Sequence, residues 1–369
     1  MHRSLSELAL PGVRKLQPYV PGKPIAELER EYGVQNAIKL ASNENPLGAG
    51  PFALAAMRDC MQDIARYPDG NGFALKTRLA RKLGVAVEQI TLGNGSNDIL
   101  ELMARAFVAS GDEVVFSEHC FAVYPIVTQA VGGQARIAPA RQWGHDLAAM
   151  RALINERTRL VFIANPNNPT GTWLKAAELE EFIRGLPQHV LVVVDEAYFE
   201  YAAFASKDYP DALQWVERYP NLIVARTFSK AYGLAGLRIG YSVSHPEVAD
   251  ILSRVRQPFN VNSMALAAAE AALDDTGHLE QSLQLNHDGI LQLTTAFDDM
   301  GLGFIPSMGN FVCVEIGSTA AAVYEALLYE GVIVRPVANY GMPHHLRITV
   351  GLPAENERLL AALKKAMAQ

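Results

Sequence analysis

Cysteine is scarce in this chain, with three residues among 369. Cys60, Cys120 and Cys313 lie far apart and no Cys-x-x-Cys pair occurs, so the sequence supports neither a disulfide framework nor a zinc cluster. A chain without a disulfide framework suits a reducing compartment. We therefore expect a cytoplasmic protein with no metal site.

Long apolar runs and an excess of basic residues are also missing. No stretch approaches the length of a membrane-spanning helix, and we expect no signal peptide because the first residues include no apolar core. The formal net charge of −7 argues against nucleic acid or an anionic membrane as a partner. Hydrophobic residues make up 50% of the chain, which predicts a folded protein, and its length favours two domains.

Alternating strand and helix patterns run through the chain from about residue 51. Apolar runs separated by helical periodicity predict an α/β fold, a three-layer sandwich with a mostly parallel central sheet. The strands predicted for this sheet are 89–92, 112–116, 159–164, 190–194, 221–225 and 238–243. We predict an N-terminal arm at 1–50, a large domain at 51–264 and a small α+β domain at 265–369 that opens with a helix at 264–273.

Residues capable of chemistry follow four of these predicted strands. The four segments are Gly93–Asn97, Asn165–Gly171, Asp195–Tyr198 and Thr227–Lys230. Ligands of open α/β sheets bind at the carboxyl ends of the strands. We therefore predict one binding site, built from all four segments.

The segment Gly93-Asn-Gly-Ser-Asn97 predicts an anion site. Small residues before a helix leave backbone N–H groups aimed at one point, and the helix dipole adds positive potential there. Asp98 stands where a dinucleotide-binding fingerprint has its third glycine, and the Gly-Lys-Ser/Thr of a P-loop is absent. A tight turn followed by a helix cap has the same sequence pattern. This segment alone therefore does not distinguish an anion site from a structural turn.

Lys230 and Asp195 are the ionisable residues of the predicted site. Burial at a strand end lowers the pKa of a lysine, and such an amine can act as a nucleophile or form a Schiff base. A carboxylate after a buried strand needs a cation or hydrogen-bond donors. With the anion site, and with Asn168 and Tyr198 as hydrogen-bonding groups, these residues describe a site for pyridoxal 5′-phosphate. A surface lysine and a structural ion pair remain the alternatives for each residue taken alone.

The same motifs resemble those of the fold-type I aminotransferases over nearly the whole chain. The resemblance is carried by Asn168-Pro-Thr-Gly171, Asp195-Glu-Ala-Tyr198 and Ser229-Lys230 with Arg238 eight residues later. Within that family the chain is similar to the histidinol-phosphate aminotransferases. That similarity rests on Pro18-Tyr19, Leu40–Gly48, Arg66-Tyr67-Pro68, Val332–Pro336, Asn339–Gly341 and Leu346–Gly351.

The resemblance implies a role for each matching residue. Lys230 would form the Schiff base with pyridoxal 5′-phosphate and shuttle the substrate proton, and Asp195 would pair with the ring nitrogen. Asn168 and Tyr198 would bind the phenolate oxygen, and Phe121 would stack on the ring. The phosphate would be held by Gly95, Ser96, Asn97, Thr227, Ser229 and Arg238, and by Tyr67 of the partner subunit. The resemblance thus implies a homodimer with shared active sites, in which the arm packs on the small domain and on the partner.

Arg335 and Arg347, with Tyr19 and Asn43, are the predicted substrate-binding residues. Arginine is suited to bidentate binding of phosphate or carboxylate. The implied reaction interconverts L-histidinol phosphate and 2-oxoglutarate with imidazole acetol phosphate and L-glutamate in histidine biosynthesis. The alternatives are an aromatic amino acid aminotransferase, a threonine-phosphate decarboxylase of the same fold, and a non-catalytic cofactor-binding regulator. The chain has no appended basic segment that favours the regulator.

Overall fold

Helices and strands alternate along residues 4–368, which are described by a computed structural model. The α-helices are α1 (Ile25–Tyr32), α2 (Pro51–Cys60), α3 (Phe73–Leu83), α4 (Ser96–Phe107), α5 (Val123–Ala130), α6 (Leu147–Ala152), α7 (Ala176–Arg184), α8 (Phe199–Ala205), α9 (Pro246–Val255), α10 (Ser263–Ala272), α11 (Thr276–Asp299), α12 (Ala320–Tyr329) and α13 (Pro353–Met367). The strands are β1 (Ile38–Lys39), β2 (Ile90–Gly93), β3 (Glu113–Ser117), β4 (Gln134–Ala138), β5 (Ala140–Arg141), β6 (Gly144–His145), β7 (Thr158–Ala164), β8 (Leu191–Asp195), β9 (Leu222–Thr227), β10 (Gly240–Val243), β11 (Phe304–Ile305), β12 (Phe311–Glu315), β13 (Val332–Ile333), β14 (Arg335–Pro336) and β15 (His345–Thr349). Within these residues, no helix is both long and apolar enough to cross a membrane.

The central sheet has seven strands in the order β2-β10-β9-β8-β7-β3-β4. Strand β10 runs antiparallel to both its neighbours, and the other pairs are parallel. Apolar side chains of one strand alternate between two separate cores, as Val192 and Val194 belong to one and Val193 to the other. Both faces of the sheet are therefore covered, as a parallel sheet requires, and the predicted α/β class with its mostly parallel sheet is confirmed.

The register of the central strands places Asp195 in the middle of the sheet. Asp195 is the last residue of β8, and it lies between Ala164 of β7 and Ala225 of β9. The sequence placed it one residue beyond the strand. Likewise α4 begins at Ser96, slightly earlier than expected, which puts its first backbone N–H groups directly at the end of β2.

A second sheet, β11-β12-β15-β14, is antiparallel throughout and carries its own apolar core with α11, α12 and α13. Strand β1 of the arm pairs in parallel with β13, so this part of the arm lies on the C-terminal unit. Arg347 lies on β15, opposite Cys313 of β12.

Helix α10 does not lie where the predicted domain boundary puts it. Its buried alanines belong to the core of the seven-stranded sheet, and α10 packs against α2. A boundary between residues 264 and 265 would cut this helix from its core, so we propose to place the boundary after Ala272. The division into an arm and two domains otherwise stays a prediction, and residues 1–3 and 369 at its ends lie outside the described part of the chain.

Candidate active site

A cavity of about 170 Å³ opens at the carboxyl ends of the parallel strands. It is lined by most of the residues that the sequence singled out: Tyr19, Asn43, Ser96, Asn97, Phe121, Asn168, Asp195, Tyr198, Thr227, Ser229, Lys230, Arg238 and Arg347. All four strand-end segments contribute to it. The remaining lining residues are Ser42, Ala164, Pro166, Ala197 and Tyr340.

Lys230 reaches into this cavity from the turn after β9. Its Nζ donates to the backbone oxygens of Ser42 at 3.3 Å and Asn43 at 3.2 Å, and lies 5.6 Å from the centroid of the Tyr198 ring. Burial and the positive charge of Arg347 lower the pKa of the Lys230 amine to about 7. A large share of this amine is therefore neutral near pH 7, the form that attacks carbonyl carbon and accepts protons.

The two carboxylate oxygens of Asp195 have different surroundings. Oδ2 accepts a hydrogen bond from the hydroxyl of Tyr124 at 3.0 Å. Oδ1 is buried and has no hydrogen-bond partner among residues 4–368. Burial raises the pKa of Asp195 to about 6, although the Tyr124 hydroxyl opposes the rise. An unpartnered buried oxygen is costly, which marks Oδ1 as the place where a ligand's donor fits.

Asn43 connects the phenol of Tyr198 to the second sheet. Its Nδ2 donates to Tyr198 Oη at 2.8 Å, its backbone N–H donates to Thr349 Oγ1 at 2.9 Å, and Thr349 Oγ1 donates to Asn43 Oδ1 at 3.1 Å. Burial raises the pKa of Tyr198 to about 12. The phenol therefore keeps its proton at neutral pH and can donate it to an oxygen in the cavity.

Asn168 and Arg347 form a second connection across the cavity. Arg347 Nη1 donates to Asn168 Oδ1 at 2.6 Å and Nη2 donates to the backbone oxygen of Ala41 at 2.6 Å. Nε of Arg347 is buried without a hydrogen-bond partner in the described chain. The guanidinium is thus held by its two Nη atoms, while the N–H of Nε is buried and can donate to a ligand.

Two glycines let positive groups converge beside the N-terminus of α4. Gly95 has φ +85°, and a Cβ there would come within 2.5 Å of Arg238 Nη2. On the neighbouring strand, a Cβ on Gly240 would lie 2.5 Å from the backbone nitrogen of Ser96. Backbone N–H groups, the helix dipole and a guanidinium therefore share one small space, which suits a phosphate.

Both the sequence and the fold of this chain match known proteins. Residues 35–363 match the family model described as aminotransferase class I and II. This chain is a class I and II aminotransferase. It is 65% identical to histidinol-phosphate aminotransferase 2 of Pseudomonas fluorescens strain Pf-5 over 364 residues, 98% of each chain. It is 61% identical to histidinol-phosphate aminotransferase 2 of Pseudomonas aeruginosa, again over 98% of each chain.

A solved structure carries the same likeness. The histidinol-phosphate aminotransferase from Sinorhizobium meliloti, crystallised in complex with pyridoxal 5′-phosphate, superposes on this aminotransferase with a TM-score of 0.90. The two are 33% identical, and the match covers 97% of each chain. The resemblance inferred from the motifs is therefore confirmed at the level of the family and of the fold.

Three predicted residues do not line the cavity of this aminotransferase: Gly95, which lies beside it next to Arg238, and Arg335 and Tyr67, which lie farther away. Arg335 lines an adjoining cavity of about 960 Å³, where its Nη2 donates to the backbone oxygen of Val20 at 2.7 Å and its guanidinium lies 5.6 Å from the Tyr19 ring centroid. Tyr19 and Tyr340 border both cavities. Tyr67 is 82% exposed and stacks on Phe259 at 4.7 Å. Its predicted role lies in the partner's site, so a single chain does not test it.

Three features next to the site were not predicted from the sequence. Tyr124 lies in no motif. Tyr340 lies in the motif Asn339–Gly341 but was given no role, and its place at the site follows from the cavity itself. On the face of the sheet away from the cavity, Arg226 donates through Nε and Nη2 to Glu196 Oε2 at 2.9 and 2.7 Å, and through Nη2 to Asp211 Oδ1 at 2.6 Å. An acid and a base at matching ends of adjacent strands were the signal that could have revealed this pair.

Proposed function

We propose that this aminotransferase interconverts L-histidinol phosphate and 2-oxoglutarate with imidazole acetol phosphate and L-glutamate, with pyridoxal 5′-phosphate as cofactor. The observation that carries the proposal is one cavity containing an amine of lowered pKa, a buried carboxylate oxygen without a partner, and an anion site. Relatives with 61–65% identity over nearly their whole length bear the name of this activity.

The residues present fit pyridoxal 5′-phosphate. Asp195 Oδ1 lacks the donor that a protonated ring nitrogen would supply, and the space beside Gly95 is kept free of a side chain next to Arg238. Phe121 and Ala197 line the same cavity, which gives a flat ring apolar neighbours. When bound, the cofactor supplies an electron-withdrawing ring that stabilises negative charge developing at the substrate Cα.

The protein's own residues then divide the remaining work. Lys230 would take the proton from the substrate Cα and deliver it to C4′ of the bound cofactor, a task for which a pKa near working pH is best suited. Asp195, when ionised, keeps the ring nitrogen protonated. Tyr198 and Asn168 hold the ring's oxygen, because both side chains are fixed by hydrogen bonds from the opposite side of the cavity.

Arg347 and Arg335 are the proposed groups for the acidic ends of the substrates. Both are buried beyond nine-tenths, at 5% and 7% exposed, so a bound phosphate or carboxylate would meet them with little competition from water. Arg347 lies at the main cavity and Arg335 at the adjoining one, with Tyr19 between them. This arrangement supports binding of one anionic group of the substrate by Arg347, near the reacting carbon, and of another by Arg335, at the far end of the substrate.

A homodimer with shared active sites, located in the cytoplasm, completes the proposal. Tyr67 and Phe259 form a stacked aromatic pair on the surface, and both are exposed in a single chain. A second copy of the chain that covered them would bury apolar area. It would also bring Tyr67 of each subunit to the active site of the other. Cys60, Cys120 and Cys313 are all unbridged, which suits a reducing compartment.

Single-turnover rates with three amino donors test the substrate assignment. L-histidinol phosphate, L-phenylalanine and L-threonine phosphate are each mixed with the cofactor-loaded enzyme, while the cofactor's visible absorbance and carbon dioxide release are followed. We expect histidinol phosphate to react at least tenfold faster than phenylalanine and without carbon dioxide. Equal rates would leave a general aromatic aminotransferase, and carbon dioxide from threonine phosphate would indicate a decarboxylase.

A further inference from the structure

Tyr124 is a buried titratable residue beside the cavity that no motif explains. It lies in the first turn of α5, is fully buried, and donates from its hydroxyl to Asp195 Oδ2 at 3.0 Å. The two residues are 71 positions apart in the chain. This hydrogen bond therefore ties α5 to the end of the central strand β8.

Aromatic packing fixes the Tyr124 ring independently of that hydrogen bond. The ring stacks on Phe162 of β7, with centroids 4.6 Å apart and planes 6° apart, and it meets the Phe121 ring edge-on at 6.0 Å. Rings packed in this way have little freedom to turn. The packing of the ring therefore fixes the position of the hydroxyl, independently of its hydrogen bond to Asp195.

The fixed donor makes the two oxygens of Asp195 unequal. Oδ2 is satisfied by Tyr124, whereas Oδ1 is buried without a partner in the described chain. A carboxylate that could rotate would present either oxygen, or neither, to the cavity. With Oδ2 occupied, only Oδ1 remains for a ligand.

We propose that Tyr124 is a positioning residue for the cofactor, which holds the Asp195 carboxylate so that Oδ1 faces the ring N–H. The inference rests on the proposed cofactor. It predicts that removal of one hydroxyl, which touches neither cofactor nor substrate, weakens the binding of the cofactor.

The surrounding charges give the inference a pH signature. Lys230, Tyr124 and Tyr198 are the titratable groups that act on Asp195. The Tyr124 hydrogen bond opposes the rise in the pKa of Asp195 that burial causes, and burial keeps the pKa of Tyr124 itself far above neutral. Without the hydroxyl the pKa of Asp195 rises further, so more of the carboxyl is neutral at pH 6.5 than at pH 8.5.

The test compares Tyr124→Phe with the wild type by titrating the purified apoprotein with pyridoxal 5′-phosphate at pH 6.5 and 8.5. We expect about tenfold weaker binding in Tyr124→Phe, with the larger loss at pH 6.5, and a lower kcat with KM for glutamate little changed. Tyr209→Phe is the matched control, because it removes another buried hydroxyl, which donates to the Asn165 backbone oxygen. We expect it to keep wild-type cofactor affinity.

A double-mutant cycle shows whether Tyr124 acts through Asp195. In the Asp195→Asn background, Tyr124→Phe should add less than a twofold change in cofactor affinity. Tyr124→His, which keeps a ring donor, is the second variant and should bind more tightly than Tyr124→Phe. Unchanged affinity in a folded Tyr124→Phe, or full additivity in the cycle, would overturn the inference. Failure of the wild-type apoprotein to bind the cofactor would instead count against the proposed function.

Discussion

Asp195 and Glu196 are adjacent carboxylates at the end of one buried strand, and they have opposite environments. Glu196 faces away from the cavity, where it receives two hydrogen bonds from Arg226 and one from the backbone of Ala212. Asp195 faces the cavity, and one of its buried oxygens has no partner within the described part of the chain. The same strand therefore carries a carboxylate whose partners the fold supplies and one whose partner must come from outside. Incomplete pairing, more than burial or charge, distinguishes the acid that we propose to bind the cofactor.

The largest expected effect comes from the cavity side. Lys230→Ala should lower kcat by at least about 10³-fold, because the variant has no group to move the proton at the substrate Cα. Its melting temperature should stay close to that of the wild type, since among residues 4–368 the amine donates only to two backbone oxygens at 3.2–3.3 Å. Steady-state assays and thermal melts of the same preparation measure both. Retained turnover would remove Lys230 from the mechanism.

Arg226→Met should have the opposite effect to Lys230→Ala: a large loss of stability with little change in substrate binding. The change leaves Glu196 buried without its cation, which typically costs about 3–5 kcal/mol of unfolding free energy. Urea unfolding of the apoprotein measures this loss. The surviving folded enzyme should keep its KM for glutamate, because Arg226 does not line the cavity. A variant as stable as the wild type would mean that the pair contributes nothing to the fold.

A smaller effect on the cavity side is the pH dependence of stability that the Asp195 carboxyl causes. Burial raises the pKa of Asp195 from its ordinary value of 3.8 to about 6, so the folded protein favours the protonated form of this group. Its contribution to stability is complete below about pH 4 and is lost as pH rises through 6. Asp195→Asn should therefore gain up to about 3 kcal/mol over the wild-type apoprotein between pH 4 and 7, while losing activity. Urea unfolding at both pH values measures the gain, and a constant difference would contradict it.

The smallest expected effect concerns Tyr198, whose phenol is held by Asn43. Tyr198→Phe removes the hydroxyl that accepts from Asn43 and that is proposed to donate to the ring oxygen. It should lower kcat by roughly tenfold, which corresponds to about 1.4 kcal/mol. Asn43→Ala should give a similar loss, because it removes the group that orients the phenol. The double variant should lose little more than either single one. Independent, additive losses would show that Asn43 does not act through Tyr198.

How much could be predicted differs between contacts that are local in sequence and those that are not. The strands predicted at 89–92 and 159–164 lie within one residue of their observed ends, because an apolar run bounded by polar residues is a local signal. Residues at strand ends were found through the rule for parallel sheets. Helix α5 was missed because it has only eight residues, with Pro125 inside its first turn.

Tyr124 was lost with that helix, and no local pattern could have recovered it. Its partner Asp195 is 71 positions away on β8, which lies between β7 and β9, so the contact depends on the arrangement of the whole sheet. The position of α10 was misjudged for a related reason. An alanine-rich helix shows no strong apolar stripe, so its sequence does not say which core it joins.

The reversal of β10 has a consequence for how a bound ligand would be held. A strand that runs against its neighbours starts at the edge where they finish, and Gly240 at the start of β10 is paired with both Gly93 and Thr227. Arg238, two residues earlier, therefore enters the anion site tethered to hydrogen-bonded ladders on both sides. The proposed phosphate end of the site is therefore the end that two ladders of backbone hydrogen bonds hold. A ligand anchored there would tilt about a fixed pivot, so that the distance from Lys230 changes by rotation while the anchor stays in place.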